Sequence, residues 1–138
     1  MIDIENKIVT LIGDAISASL PSVTVSSEYI DTPPGFPAVT ITEGSNTVVK
    51  RMRTAQAIEN GVDVMYEINV YSNRTQGKKA QAKSIMDVVD ATMADLGFTR
   101  TYRNPVPNFN DATIFRLVAR YEATVLPEGN NGYRIYAN

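Results

Sequence analysis

An α+β fold, with a mainly antiparallel sheet of about five strands and two helices packed on one face, is predicted by three features of this sequence. Two stretches carry apolar residues at spacings of three and four, which is the period of an amphipathic helix. Several others alternate apolar and polar residues, which is the period of a half-buried strand. Their order is helix, two strands, an irregular excursion, strand, helix, two strands and a tail. Packing both helices on one sheet face is the economical way to bury such a set. At 138 residues, the chain has room for one domain with one core, residues 1–138.

Residues 3–20 read as the first helix. Asp3 is its expected N-cap, and Glu5 sits in the first turn, where the helix dipole favours an acid. Ile4, Ile8, Leu11, Ile12, Ala15 and Ile16 form its apolar stripe. Pro21 ends it, because the residue before a proline avoids the α region. Val23 to Tyr29 reads as a strand with Val23, Val25, Ser27 and Tyr29 on one face. Thr32 to Pro37 holds three prolines and reads as a rigid loop. Ala38 to Glu43 is the second strand, with Val39 and Ile41 pointing inward.

Residues 44–61 fit neither period. Val48, Val49, Met52, Ala55 and Ile58 are mixed there with Lys50, Arg51 and Arg53. The expectation is an exposed excursion whose apolar residues find cover only in an assembly. Asn60-Gly61 signals a turn. Val62 to Tyr71 then alternates cleanly, with Val62, Val64, Tyr66, Ile68 and Val70 on one face.

Residues 78–96 read as the second helix, through Ile85, Val88, Val89, Thr92 and Leu96. Gly97 fits a left-handed C-cap, and Phe98 can close it with a hydrophobic contact. Thr99 to Asn104 is a short strand and Pro105 to Asn108 a turn. Ala112 to Leu126 is a long strand. Phe115, Leu117, Ala119, Tyr121, Ala123 and Val125 are expected to face in, and Ile114, Arg116, Val118, Arg120, Glu122 and Thr124 to face out. Pro127 is expected to stop this strand and begin a C-terminal tail, residues 127–138. The core should hold Ile8, Leu11, Ile12, Ile68, Val70, Ile85, Val89, Phe115 and Leu117.

Composition excludes several chemistries. A 43% apolar, 20% charged chain is ordinary for a soluble globular protein. A net charge of -2 argues against a dedicated nucleic-acid binder, although not against DNA passing nearby. There is no cysteine, hence no thiol nucleophile or disulfide, and no histidine, the commonest general base and zinc ligand. No stretch approaches the roughly 18 apolar residues of a membrane span. The acidic start Met1-Ile2-Asp3-Ile4-Glu5 is unlike a signal peptide, so the chain is expected to be complete, soluble and intracellular where it is made.

The carboxylates offer two metal readings. Asp87, Asp90 and Asp95 lie near one side of the second helix, where a solvated face explains them better than an ion does. Asp63 and Glu67 share a strand face, as in a small magnesium-dependent nuclease, but no lysine follows at short spacing. Ser72 to Lys79 has one glycine and lacks the spacing of a phosphate loop. The chain is therefore expected not to be an enzyme, with no catalytic residue, no metal and no cofactor.

Assembly is the remaining reading, because an open sheet leaves unpaired backbone groups at its rims. Candidate interface residues are the basic run Lys50, Arg51, Met52 and Arg53, and the mixed outer face of the last strand, Ile114, Arg116, Val118 and Arg120. Tyr133, Ile135 and Tyr136 of the tail are expected to add to a neighbour's sheet.

Six stretches carry a resemblance to a family. They are Gly35 to Ile41, Tyr66 to Asn73, Gly77 to Lys83, Leu96 to Arg100, Asn104 to Asn108 and Asp111 to Arg116. In order and spacing they resemble small proteins of the tail-terminator or tail-completion type, encoded in tail modules of phages and prophages of Gram-positive bacteria. The resemblance implies a tail-terminator-like fold, a homohexameric ring at the head-proximal end of the tail, and a role in stopping tail-tube growth. It also implies the tail-tube and head–tail connector proteins as partners, DNA only in the ring lumen, no membrane, and a place in the virion after assembly in the host cytoplasm. A head-completion or stopper protein of the neck is the alternative within phage biology, and the nuclease the alternative outside it.

Overall fold

The computed structural model describes residues 1–28, 33–50, 61–107, 111–128 and 132–136. Along them run α1 (Glu5–Ser19), β1 (Thr24–Ser26), β2 (Ala38–Val48), β3 (Val62–Ser72), α2 (Lys78–Leu96), β4 (Thr99–Pro105), β5 (Phe115–Glu128) and β6 (Gly132–Tyr136). The fold is α+β, with one sheet ordered β1-β2-β3-β5-β4 and β6 paired to β5. Every pairing is antiparallel except that of β1 with β2. The helices pack on each other, and α2 lies against β3, β4 and β5.

The sheet among the described residues has six strands rather than about five. The sixth, β6, is the expected tail. It folds back on its own chain, pairing Thr124 with Tyr136 and Glu128 with Gly132. Pro127 therefore does not stop β5: it sits within the strand opposite Tyr133. Beyond Val125 β5 pairs only with β6, so a proline there lies at the sheet's edge, where its missing donor costs little.

The excursion also shrinks. Residues 45–48 extend β2 and pair with β3, Val48 opposite Val62, after a register shift between Glu43 and Ser45. Gly44 sits at that shift, where a side chain would meet the mobile end of Met65. The Val49 N–H donates to the Gly61 carbonyl at 2.9 Å, and Val49 is buried. Val48 and Val49 thus find cover within the subunit, against expectation. Residues 51–60 lie outside the described residues. β1 is shorter than the expected strand, and Tyr29 also falls outside the described residues.

Helix faces follow the periodicity with small rotations. In α1 the buried line is Ile8, Ile12 and Ile16, continued upstream by Ile4. Leu11 lies on its flank and is only half-buried, so its expected place in the core is corrected. The N-cap is Ile4 and not Asp3; Asp3 stands one residue before it, its Oδ1 accepting the Glu5 N–H at 3.0 Å. In α2 the buried line is Ala82, Ile85, Met86, Val89 and Met93. Two methionines, whose flexible thioethers fill irregular gaps, take places that the sequence reading assigned to Val88 and Thr92. The C-terminus of α2 is a Schellman turn: Gly97 has φ 96°, its N–H donates to Ala94, and Phe98 N–H donates to Met93. Phe98 then packs edge-on to Tyr66, with centroids 5.8 Å apart.

One core fills the space between helices and sheet, from Ile4 and Ile8 through Tyr66, Ile68 and Val89 to Leu117, Tyr121 and Val125. Phe115, expected fully inside, is half-buried at the start of β5. Ile12→Ala and Ile85→Ala should each lower the unfolding free energy by about 2–4 kcal/mol, as truncations of fully buried aliphatics do. Leu11→Ala should cost less than half as much in the same urea titrations. Equal losses at Leu11 and Ile12 would mean that α1 is turned differently on the sheet. Gly97→Ala should cost about 1 kcal/mol or more, because alanine resists the left-handed region.

Candidate interaction surface

The metal readings are separated by distance. Asp63 and Glu67 stand four residues apart on β3, about 13 Å along an extended strand, too far to share one ion. Asp63 instead accepts the Thr124 hydroxyl at 2.6 Å, and Glu67 faces Arg120 at 3.9 Å. Asp90 is held between Arg100, at 3.0 Å, and the Tyr121 hydroxyl, which donates to it at 2.9 Å. Asp87 and Asp95 are exposed. Among the described residues no group of three or more acidic, histidine or cysteine side chains is placed to hold a metal. The loop before α2 is a structural joint: Ser72 donates to Gln81 at 2.6 Å, Gly77 takes φ 75°, and Lys78 Nζ donates to the Thr113 carbonyl at 3.2 Å.

The outer face of β5 is covered more than its sequence suggests. Ile114 is 5% exposed and packs with Ala38, Tyr71 and Phe36 in a small second cluster, on the far side of the sheet from the helices. Val118 is 2% exposed, in register with Asn69 on one side and Asn104 on the other. Both residues, expected to face outward, are buried within the subunit. Arg116 donates through Nε to Asn69 at 2.8 Å, and its guanidinium lies 5.9 Å from the Tyr71 ring centre. Arg120 is exposed and stacks on Tyr102 at 4.9 Å. The four candidates thus divide into two buried anchors, one half-buried cation and one exposed cation.

Tyr133 and Ile135 pack against the subunit's own core, and Tyr136 is 55% exposed. Within the subunit this segment is a strand whose partner is β5. Of the basic run, Lys50 is exposed, while Arg51, Met52 and Arg53 lie outside the described residues.

Two features escaped the sequence reading. One is a partly buried polar network at the β2–β3 pair. Tyr66 donates to Glu43 at 3.1 Å, and Asn46 donates to Glu43 at 3.3 Å and to the Ile2 carbonyl at 2.8 Å. The other is a cleft rimmed by Lys79, Lys83 and Arg103. Only the spacing of the two lysines, four apart on a helix, was visible in the sequence. Burial, and then the Glu43 carboxylate, push the Tyr66 phenol far above its ordinary range. Burial and the hydrogen bond to Asp90 do the same for Tyr121. Asp111 is held below the usual carboxylate range by its hydrogen bonds from Thr113.

No family model matches the chain, and no curated protein sequence matches it. Among solved structures it is similar to that of the bacteriophage SPP1 gp17 protein, at 14% identity over 93% of each chain with a TM-score of 0.40. A likeness of that size carries no argument about what this chain binds or builds. No helix among the described residues is long and apolar enough to cross a membrane.

The two tyrosines make stability depend on alkaline pH. Their ordinary value is 10.0, and both are raised in the fold. Their contribution is complete below the unfolded value and is lost as pH rises from there towards the folded values, because the unfolded chain releases these protons first. Urea unfolding should show constant tyrosine-dependent stability from about pH 8 to 9.5 and a decline above about pH 10. Tyr66→Phe should lower stability at about pH 8 yet flatten the alkaline decline. An unchanged decline in that variant would mean that Tyr66 ionises freely.

Proposed function

We propose that this protein is a structural component of a bacteriophage particle: it forms a ring at the head-proximal end of the tail, ends tail-tube growth and joins the tail to the head connector. It is not an enzyme in this reading, and its partners are its own copies, the tail tube and the connector, with DNA only passing through the lumen. One observation carries the reading. Of the six stretches that resemble tail-terminator proteins, five reach one end of the sheet, and Leu96 to Arg100 lies towards the other, with Arg100 opposite Tyr121. Ala38 is paired with Tyr71 and Tyr71 with Arg116, while Pro105 is paired with Leu117 and Lys78 reaches Thr113. Pieces scattered between residues 35 and 116 thus meet in one region of the subunit; Ala38, Tyr71 and Leu117 are buried there, while Phe36, Lys78 and Pro105 lie at its surface, where a partner can share them.

The sheet's rims support the same reading. β1 pairs with only three residues of β2, Ala38 to Thr40, and β4 borders the opposite side with largely exposed residues. Two different rims on one subunit suit a heterologous contact that repeats and closes.

Loss of this protein from the phage that encodes it should leave tails of uneven length and filled heads without tails in electron micrographs. Arg51→Glu with Arg53→Glu should damage joining while circular dichroism of the purified variant stays unchanged. Normal virions in both cases would overturn the reading.

A further inference from the structure

An open cleft of about 340 Å³ lies between the first turns of α2 and the β4–β5 pair. Lys79 and Lys83, one helical turn apart, and Arg103 from β4 rim it, and Pro105, Phe115 and Leu117 form its apolar floor. None of these three cations has an ion-pair partner among the described residues. Three neighbouring positive charges in a chain of net charge -2 leave the rest of the molecule correspondingly acidic.

One group of carboxylates sits diagonally opposite. Asp3 and Glu5 at the start of α1 lie beside Glu43 of β2, close enough that Glu43 and then Asp3, after burial, hold the Glu5 carboxyl above its usual range. The register gives the separation. Glu43 is opposite Tyr66, Tyr66 opposite Tyr121, and Arg103 pairs on β5's other side with Ala119. Three strand spacings, about 14 Å, therefore lie between the acidic and basic groups across the sheet. The cleft floor reaches Leu117, opposite Val70, whereas the start of α1 leans the other way along the strands, towards Asn46.

We infer that this cationic cleft receives the acidic start of α1 from a second copy of the chain. The inference rests on the ring reading above and names the surfaces that would join. A two-fold contact through the cleft would set cations against cations, and one through the acidic end would set carboxylates against carboxylates. Cleft against acidic end is the pairing that charge complementarity selects, and it also suppresses the wrong registers. Because the two patches occupy different edges, one subunit can use both at once, so the contact propagates head to tail.

Sedimentation equilibrium of the full chain over a range of concentrations tests this. The wild type should self-associate, more weakly as salt is raised. Lys79→Glu with Lys83→Glu should weaken self-association by about tenfold or more at low salt, and so should Glu5→Lys. Combining all three substitutions on one chain should restore it, which a mere folding defect would not do; circular dichroism accompanies each variant. Self-association that survives both reversals would overturn the inference and leave the ring reading standing. A wild type that stays monomeric throughout would overturn both. Reversal that abolishes binding of inorganic phosphate or a DNA oligonucleotide, with self-association unchanged, would make the cleft an anion site instead.

Discussion

β3 is hydrogen-bonded along its whole length on both sides, to β2 from Val62 to Tyr71 and to β5 from Val62 to Ser72. Its inner side chains Val62, Val64, Tyr66, Ile68 and Val70 are buried under the helices, and on its far face Asn69 and Tyr71 are buried as well. Every other element takes its place from this strand. β2 and β5 are its neighbours, β1, β4 and β6 hang on those, and α2 crosses over it on the way from β3 to β4. A register slip of one residue would send the whole apolar set to the far face, so the pairing and the core specify each other.

The far face shows how a sheet without a second helix layer stays closed. At one end Phe36 and Ile114, from the segments before β2 and β5, cap Ala38 and Tyr71. Beside them Arg116 spans Tyr71 and Asn69, so that a buried amide and an aromatic ring share one guanidinium. Further along, charge takes over: Glu67, Arg120 and Tyr102 form a ladder across three strands, each half-exposed or exposed. Exposed pairs of this kind contribute little to stability. Their position on the far face, away from the helices, leaves them at the surface and outside the core.

Surface chemistry follows from that division. The groups that a catalytic reading would gather are each engaged elsewhere: Asp63 with Thr124, Glu67 with Arg120, Asp90 with Arg100 and Tyr121. What the fold does gather is charge of one sign per region, cations beside α2 and β4 and carboxylates where α1 meets β2. Separated patches of opposite sign steer and orient association more than they tighten it.

The sequence by itself determined the α+β class, both helices, the inner faces of β3 and β5, and the Gly97–Phe98 turn. Each of these depends on residues close together in the chain: period 3.6, period 2, and a glycine where φ must be positive. Leu11 and Ile12 could not be ranked that way, because both lie within the apolar arc of α1 and only the line of contact with α2 chooses between them. Ile114 and Val118 read as outward for a similar reason. Alternation assigns a side, but whether that side meets water depends on Phe36, Ala38 and Tyr71 around Ile114, and on the strands that flank Val118, all of which arrive from other elements. Pairing between separated segments was likewise decided by the tertiary structure: residues 45–48 on β3, and Arg103 beside Lys79 and Lys83. β6 on β5 is a short-range hairpin, hidden because Pro127 reads as the end of the strand. Backbone hydrogen bonds and charges act over a few ångströms of space whatever the sequence separation, and one-dimensional periodicity carries no record of which distant segment supplies the partner.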